Sequence, residues 1–338
     1  MKTKIAINGF GRIGRNAFKI ANARSDLQIA AINDLTDSRM LAYLLQNDTN
    51  YGRYEKKVGY DEDGLIVDGK HIVVLAEKDP KLLPWDKLGV DVVIESTGRF
   101  AKTEDAEMHI QAGAKRVVIS APAKSEGTET IVLGANDEVL KSAGDVISNA
   151  SCTTNCISPV VNVMESVFGI EKALMTTVHS YTASQVLQDG PAKDLRESRA
   201  AAENIVPTTT GAAIATTLVV PSLKGKFNGM SVRVPTPVVS LSDITMLLKK
   251  DTTIEEVNQA LKDASKQPYY QGILGVTEEE LVSSDFIGDS HSAVVDLNLT
   301  DVVAGNLVKV VAWYDNEWGY SNRLVEVVAD SAKLLGKS

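Results

Sequence analysis

The sequence predicts an α/β protein of two domains, a doubly wound parallel sheet followed by an α+β domain with a mostly antiparallel sheet. The chain has 338 residues, which is too long for one ordinary core and fits two. Over roughly the first 150 residues, short apolar runs alternate with helical patterns, as in a sheet covered by helices on both faces. Beyond Cys152, strand-like runs follow one another without regular helices between them.

The elements of the first domain alternate in type. A strand over Thr3–Asn8 leads into a helical pattern at 15–23, and a second strand covers Leu27–Asn33. Apolar runs at 91–95 and 116–120 have the length of buried parallel strands, and a helical stretch at 103–114 separates them. This alternation is typical of a doubly wound sheet.

The second domain opens with a helical pattern at 157–168. Strand-like runs follow at 172–180, 230–234, 240–249, 293–297 and 307–314, and one amphipathic helix closes the chain at 317–335. The stretch at 181–207 lacks apolar periodicity, and a loop of that length in a compact domain is usually functional or disordered. We place the first domain at residues 1–151 and 315–338, with the last helix returning to it, and the second at 152–314.

Composition and charge narrow the class of protein. Apolar and charged residues, 44% and 23% of the chain, have the proportions of a globular protein, and no window approaches the ~20 apolar residues of a membrane span. Without a signal peptide, and with two cysteines only four positions apart, the sequence favours a cytoplasmic protein. The net charge of −9 argues against broad binding to nucleic acid or membranes, but local arginines and backbone N–H groups can still bind phosphate.

A glycine motif follows the first strand. Gly9, Gly11 and Gly14 have G-x-G-x-x-G spacing, open a helix, and precede Asp34 at the end of the next strand. In the Rossmann dinucleotide fold such glycines permit a tight turn, close approach of a pyrophosphate and helix–strand packing, and the acidic residue binds ribose hydroxyls. An acid here would repel a 2′-phosphate, so NAD is favoured over NADP. The alternative is an ordinary glycine-rich β–α turn.

Polar residues also follow the later parallel strands. Ligands of a doubly wound sheet lie at the carboxyl ends of its strands, so Thr97, Gly98 and Ser120 are candidates for contact with the dinucleotide. Each of the three is also an ordinary cap or turn residue.

Cys152 and His179 are the candidate reactive pair. A thiol at a helix N-terminus meets unpaired N–H groups and the positive end of the helix dipole, which favour the nucleophilic thiolate. His179 ends a strand, and a Cys–His pair together with a nicotinamide cofactor matches aldehyde oxidation through a covalent thioester. The alternative for each is a buried core residue, which we expect Cys156 to be. His71 and His109 are interpreted as surface residues.

Six segments resemble one known family. Residues 8–15, 148–156, 176–182, 209–213, 233–237 and 313–320 read N-G-F-G-R-I-G-R, S-N-A-S-C-T-T-N-C, T-T-V-H-S-Y-T, T-T-G-A-A, R-V-P-T-P and W-Y-D-N-E-W-G-Y. They closely resemble phosphorylating glyceraldehyde-3-phosphate dehydrogenase, and the likeness runs from the first strand to the last helix in the family's order.

The resemblance implies a catalytic sequence. Cys152 attacks the aldehyde of glyceraldehyde 3-phosphate, and His179 accepts and returns protons. Oxidation by NAD leaves a thioester on Cys152. Inorganic phosphate then attacks the thioester and releases 1,3-bisphosphoglycerate. Arg12 and Ile13 in the glycine motif would contact the cofactor, Asn316 would fix the nicotinamide carboxamide, and Tyr320 would pack nearby. The family acts in central carbon metabolism as a homotetramer, which would place the 181–207 loop at a subunit interface.

The resemblance also implies two anion sites. Thr182 and Arg233 would hold the substrate's phosphate, whereas Ser151, Thr153, Arg196, Thr210 and Gly211 would hold the attacking phosphate. Paired Arg donors, hydroxyls and backbone N–H groups suit that task. Arg196 is preferred over Arg199 from the family pattern, although this stretch could be only a solvated loop.

Departures and rival functions remain. Ser184 stands where an acidic residue is frequent in the family, so we expect the balance of affinities at the anion sites to differ. Ile214 and Val238 also differ from residues frequent in the family, and we interpret these two changes as drift. A relative that oxidises erythrose 4-phosphate is one alternative, and a non-catalytic NAD-binding regulatory protein is another. The complete set of Cys152, His179, Arg233 and Asn316 argues against the latter.

Overall fold

The computed structural model describes residues 2–335, which fold into two units. The first contains the chain up to Ile131, Glu138–Ala150 and the residues from Ser321 onward, and the second contains Val132–Asp137 and Ser151–Tyr320. Residue 1 and residues 336–338, which the sequence assigns to the first domain, lie outside the described residues.

The first unit is built on a largely parallel sheet. Its elements are β1 (Thr3–Asn8), α1 (Arg12–Ala23), β2 (Leu27–Asn33), α2 (Ser38–Gln46), β3 (Asn47–Asp48), β4 (Gly52–Arg53), β5 (Val58–Tyr60), β6 (Gly64–Val67), β7 (Lys70–Leu75), α3 (Trp85–Leu88), β8 (Val92–Glu95), α4 (Thr103–Gln111), β9 (Arg116–Ile119), β10 (Glu129–Thr130) and β11 (Val146–Ser148). The strand order is β10-β11-β9-β8-β1-β2-β7-β6-β5. Pairing is parallel from β10 to β7 and antiparallel across β7, β6 and β5, which confirms the predicted doubly wound sheet with a hairpin added at one edge.

The central strands of that sheet are buried because their sequences are continuous apolar runs. Ile5, Ile7 and Ile94 are fully buried, and burial of such a side chain contributes about 1.5–3 kcal/mol. The run of buried residues in β1 and β8 is typical of strands covered on both faces. The helix α1 begins at Arg12, one turn earlier than predicted, because Gly11 is its extended N-cap residue.

The second unit is built around a mixed sheet. Its elements are α5 (Cys152–Val167), β12 (Ile170–Ser180), β13 (Val206–Thr209), α6 (Ala212–Val219), β14 (Phe227–Val234), β15 (Ser240–Leu248), α7 (Ile254–Ser265), β16 (Leu274–Thr277), β17 (Ala293–Asp296), β18 (Asp301–Val303) and β19 (Leu307–Tyr314), and α8 (Trp318–Leu335) begins in this unit and continues into the first. The order is β13-β14-β12-β15-β19-β17-β16, with β18 on β19. Most pairs are antiparallel, as predicted; β12–β14 and β16–β17 are parallel.

The two faces of this sheet differ. Inward residues of β12 such as Met175 are buried beneath α5, whose Val160 and Met164 are fully buried. On the other face Leu174 and Met230 are exposed. The sheet therefore presents an apolar surface that its own chain leaves open.

The 181–207 loop has little regular structure, as the sequence predicts. It contains an isolated bridge between Val186 and Ala200, and β13 begins at Val206. Leu187 and Leu195 are 86% and 89% exposed. Among residues 2–335, no helix is long and apolar enough to cross a membrane.

Candidate active site

Cys152 is the first residue of α5. Ser151 is the N-cap residue, and its Oγ accepts a hydrogen bond from Thr154 N at 3.1 Å. Ala150, just before it, has φ +55°, a left-handed conformation that costs a non-glycine residue about 1–3 kcal/mol. A strained turn and a capped helix start therefore place the thiol at the positive end of a helix, as the sequence predicts.

His179 lies next to Cys152. Its Nε2 is 3.5 Å from Cys152 Sγ, and its Nδ1 is 2.7 Å from Ser180 O. Arg233, its register partner on β14, brings Nη1 to 2.5 Å from His179 Nδ1. The structure thus brings together a thiol, an imidazole and a guanidinium within the second unit.

The two contacts of Nδ1 exclude each other. If Nδ1 carries the proton it donates to Ser180 O, and Nε2 offers its lone pair to the thiol hydrogen. If Nδ1 accepts from Arg233, Nε2–H instead points at the sulfur. Burial and the charge of Arg233 lower the pKa of His179 to about 3, so the imidazole is neutral at pH 7.

The thiol differs from the sequence-based interpretation. Although Cys152 as a residue is only partly buried, burial of its sulfur raises its pKa, and this outweighs the opposing effects of Arg233 and the Thr153 N–H. The N–H groups at the helix terminus do favour the thiolate, as expected from the sequence, but burial of the sulfur has the larger effect on the pKa of Cys152. The thiol and the neutral imidazole face each other, so His179 Nε2 is placed where a base for the thiol proton would have to lie.

A buried chain of hydroxyls supports the pair. Tyr314 Oη contacts Thr153 Oγ1 at 2.9 Å and Thr177 Oγ1 at 2.8 Å, and burial raises the pKa of Tyr314. Its ring packs edge-on against His179 with centroids 6.0 Å apart. Tyr314 was not singled out from the sequence, although it lies within one of the family-like segments. The Thr153 hydroxyl, predicted to bind phosphate, is hydrogen-bonded to Tyr314.

Asn316 has a fixed side chain. Its Oδ1 accepts hydrogen bonds from Ser180 Oγ and Ser240 Oγ, both at 3.0 Å. The two hydroxyls orient the amide, so its NH₂ group points away from them. Tyr320, in the first turn of α8, is buried, and burial raises its pKa.

The predicted anion-binding residues lie at several places in the second unit. Thr182 Oγ1 contacts Ser184 Oγ at 3.0 Å, so one family departure bears directly on this hydroxyl. Arg199 is paired with Asp189 at 2.7 Å, and both Arg196 and Arg199 are exposed, so the preference for Arg196 stays a prediction.

Thr210 and Gly211 form the start of α6. Gly211 is the N-cap residue, and Thr210 Oγ1 accepts from Ala212 N at 3.2 Å. The other two departures differ in setting: Ile214, in α6, is exposed, and Val238, which follows β14, is buried.

The glycine motif forms a tight turn in the first unit. Gly9 has φ +92°, and a Cβ on it would lie 2.6 Å from Thr97 N; a Cβ on Gly14 would lie 2.1 Å from Gly9 O. Gly11 has open space at the Cβ position, on the side from which a ligand can approach. Ile13 follows in the first turn of α1.

Asp34 closes the turn. Its Oδ2 accepts from Phe10 N at 2.7 Å, and its Oδ1 accepts from Thr36 N at 2.9 Å. Arg12 reaches Asp48 at 2.8 Å, and although burial raises the pKa of this carboxyl, the charge of Arg12 holds it below its usual value.

The strand ends complete this side of the unit. Thr97 follows β8, Gly98 has φ +71°, and Ser120 N donates to Glu95 O. The three residues cluster at one edge of the sheet, as predicted. No group of three or more His, Cys, Asp or Glu that could hold a metal ion occurs among residues 2–335.

Comparison with known proteins gives two family matches. Residues 3–103 match the glyceraldehyde 3-phosphate dehydrogenase NAD binding domain, and residues 151–316 match the glyceraldehyde 3-phosphate dehydrogenase C-terminal domain. Glyceraldehyde-3-phosphate dehydrogenase of Geobacillus stearothermophilus is 54% identical over 97% of this chain and 98% of its own length. Those of Streptomyces coelicolor and Zymomonas mobilis are 54% and 50% identical, over 97% and 99% of this chain and 98% and 100% of their own.

Proposed function

The chain belongs to the glyceraldehyde-3-phosphate dehydrogenase family, and from that membership we propose that it oxidises D-glyceraldehyde 3-phosphate with NAD and inorganic phosphate. The product is 1,3-bisphosphoglycerate, formed through a thioester on Cys152. The observation that carries this route is the 3.5 Å approach of Cys152 Sγ to His179 Nε2 at the start of α5.

The residues of the first unit fit an NAD molecule. Gly9 and Gly14 leave no room for a side chain, whereas Gly11 leaves its Cβ position open to an incoming pyrophosphate. Asp34 offers carboxylate oxygens at the end of β2 for ribose hydroxyls. When bound, NAD supplies the acceptor for the two electrons and the hydrogen that leave the substrate carbon.

Asn316 is the residue of the second unit that suits a carboxamide. Because Ser180 and Ser240 hold its Oδ1, its NH₂ group is preoriented to donate to the carboxamide oxygen of the nicotinamide. A fixed donor of this kind selects one orientation of the ring without further ordering cost on binding.

Proton transfer begins at His179. With its proton on Nδ1 and donated to Ser180 O, His179 accepts the thiol proton at Nε2, and the thiolate forms a bond to the aldehyde carbon. The imidazolium returns this proton to the carbonyl oxygen, which gives a hemithioacetal. The same imidazole then removes the hydroxyl proton as the carbon is oxidised, and a thioester on Cys152 remains.

Release of the product requires a second anion. Phosphate attacks the thioester carbonyl, a C–O bond forms, and the Cys152 thiolate leaves. Thr182 and Arg233 hold the substrate's own phosphate. The backbone and side-chain donors around the starts of α5 and α6 suit the attacking phosphate, and Arg196 adds a charge from the long loop.

The division of labour follows the two units. The first is the NAD domain and the second the catalytic domain, and α8 links them in sequence because it begins in one and ends in the other. We place the protein in the cytoplasm, where thiols stay reduced. The protein assembles as a homotetramer, supported by the open apolar face of the second sheet and by the exposed leucines of the 181–207 loop.

Phosphate dependence tests the proposed reaction. Enzyme, glyceraldehyde 3-phosphate and NAD are mixed with and without inorganic phosphate, and reduced nicotinamide is followed by its absorbance. Sustained production only with phosphate is expected. A single burst that phosphate does not extend, or preference for erythrose 4-phosphate, would overturn the assignment.

A further inference from the structure

A buried polar cluster lies behind the glycine turn of the first unit. It consists of Trp85, His109, Glu95, Asn8 and Asn33, all 5% exposed or less. The sequence-based interpretation of His109 as a surface residue is wrong, since it is 0% exposed. None of the five is among the residues assigned above to chemistry or cofactor contact, and buried polar side chains need a reason because their desolvation is costly.

Glu95 is the acceptor at the centre of the cluster. Its Oε2 lies 2.5 Å from Asn8 Nδ2 and 3.2 Å from His109 Nε2. Its Oε1 accepts from Thr97 N at 2.8 Å and from Thr97 Oγ1 at 2.5 Å. Four donors thus meet the two oxygens, which saturates the lone pairs of a carboxylate.

The direction of each hydrogen bond is determined by its neighbour. Trp85 Nε1 can only donate, and it lies 2.9 Å from His109 Nδ1, so the His109 proton sits on Nε2 and points at Glu95. Trp85, in α3, therefore donates to His109, in α4, and His109 donates to the Glu95 carboxylate.

The amides of Asn33 and Asn8, at the ends of the strands, also have their orientations determined by neighbouring groups. Glu77 N donates to Asn33 Oδ1 at 2.9 Å, so Asn33 Nδ2 faces Asn8 Oδ1 at 2.7 Å. Asn8 is left with its NH₂ group toward Glu95. Every amide and the imidazole has one consistent orientation, and the cluster is satisfied only when both carboxyl oxygens of Glu95 act as acceptors.

We propose that Glu95 is a positioning residue for the cofactor site. Its carboxylate accepts from Asn8, and Asn8 Oδ1 accepts from Asn33, so two hydrogen bonds link the carboxyl ends of three adjacent parallel strands. Asn8 ends β1, Asn33 ends β2 and Glu95 ends β8. The next residues along the chain are Gly9, Asp34 and, two positions on, Thr97.

The strand-end residues and the glycine turn line the same cavity of the first unit. It is lined by Asn8, Asn33 and Thr97 together with Gly9, Gly11 and Asp34. The cluster fixes the spacing of the three strand ends, so the residues that meet the adenosine and pyrophosphate half of NAD are in place before it binds. The inference rests on the NAD binding proposed above and assigns the residues that organise it.

Direct binding of ADP-ribose and NAD to the full-length protein tests the proposal without turnover. Glu95→Gln places an NH₂ group against existing donors, because neither Thr97 N nor the imidazole locked by Trp85 can become an acceptor. We expect the dissociation constants of ADP-ribose and NAD to rise by about tenfold or more. At saturating NAD, kcat should change less than about twofold, and alkylation of Cys152 should keep its rate, since the thiol belongs to the other unit.

A second pair of variants separates positioning from simple loss of stability. His109→Leu removes the donor to Glu95, whereas His109→Gln can present an amide N–H there; the first should weaken ADP-ribose binding and the second should largely restore it. Ile94→Val, at the fully buried neighbour of Glu95, is the matched control, expected to destabilise the fold with unchanged affinity.

Three outcomes decide the matter. Equal affinities of Glu95→Gln and Ile94→Val for ADP-ribose would overturn the proposal. Equal affinities of His109→Leu and His109→Gln for ADP-ribose would also overturn it. If Glu95→Gln does not fold, the comparison of the two His109 variants decides alone. Failure of the unaltered protein to bind ADP-ribose or NAD would instead overturn the proposed function.

Discussion

Cys152 is subject to two opposing influences. Burial of its sulfur raises its pKa, while the N–H groups of α5 and the charge of Arg233 act in the other direction. The first effect is the larger, so the pKa of Cys152 lies above its ordinary value, and the proposed mechanism needs His179 as the base that removes the thiol proton.

Replacement of the sulfur tests the covalent route. Cys152→Ser should abolish turnover, because a hydroxyl is a far weaker nucleophile than the thiolate formed by proton transfer, yet NAD binding should be unchanged because the glycine turn is untouched. Steady-state rates and a binding titration measure the two effects. Cys156→Ala is the control at the buried neighbouring thiol and should remain active. Near-normal activity of Cys152→Ser would exclude the thioester mechanism.

His179 makes stability depend on pH. Its pKa is about 3 in the folded chain and about 6.5 when unfolded, so between these values the unfolded chain binds more protons. The free energy of unfolding should therefore fall as pH drops from 6.5 toward 3, by at most about 1.4 kcal/mol per pH unit from this group. Denaturant unfolding of the unaltered protein and of His179→Asn should show a flatter profile for the variant. Superimposable profiles would place the titrating group elsewhere.

At the scale of elements, Asp34 lies where β2 meets the glycine turn, and we expect it to determine the preference for NAD over NADP. Asp34→Ala should reduce the preference for NAD over NADP, because the charge that repels a 2′-phosphate is lost. It should also weaken binding of both cofactors, because Phe10 N loses its acceptor at 2.7 Å. Asp34→Asn, which keeps an acceptor oxygen but no charge, should reduce the preference with a smaller loss of affinity. Specificity constants for the two cofactors measure the effect, and an unchanged ratio in both variants would place discrimination elsewhere.

Elements with a clear apolar period were predictable from the sequence. β1 and β2 have their predicted bounds, because buried parallel strands are continuous apolar runs. α5 begins at Cys152, five residues before its predicted start at 157, because its first turn is polar in sequence although Thr153, Thr154 and Asn155 are buried. α2 went unassigned, and so did β5 and β6, which are strands of only three and four residues.

Some residues of the candidate site could be predicted from local sequence motifs, whereas others could not. Cys152, His179 and the glycine turn lie in local patterns whose chemistry can be read without a fold. Glu95 and His109 could not be assigned, because a buried hydrogen-bond cluster forms between residues distant in sequence. For example, Asn8 Nδ2 and Glu95 Oε2 are 87 positions apart in the chain.

At the scale of the whole molecule, the second unit leaves one face of its sheet open. Leu174, Met230 and Leu307 are 66%, 42% and 41% exposed there. Contiguous apolar surface of this kind on a sheet is rarely left to solvent, and a two-fold contact would cover it with the same face of a second copy. The exposed leucines of the 181–207 loop offer a further contact.

A charge on this face tests the assembly. In a two-fold contact each interface would hold two copies of residue 174, so Leu174→Glu would place two carboxylates in an apolar setting and should shift the proposed tetramer to smaller species. Sedimentation velocity over a range of protein concentrations measures that shift. Leu82→Glu, at a residue of the first unit with a similar exposure of 68%, is the matched control and should leave the assembly intact. A tetramer of unchanged concentration dependence in Leu174→Glu would mean that another surface joins the subunits.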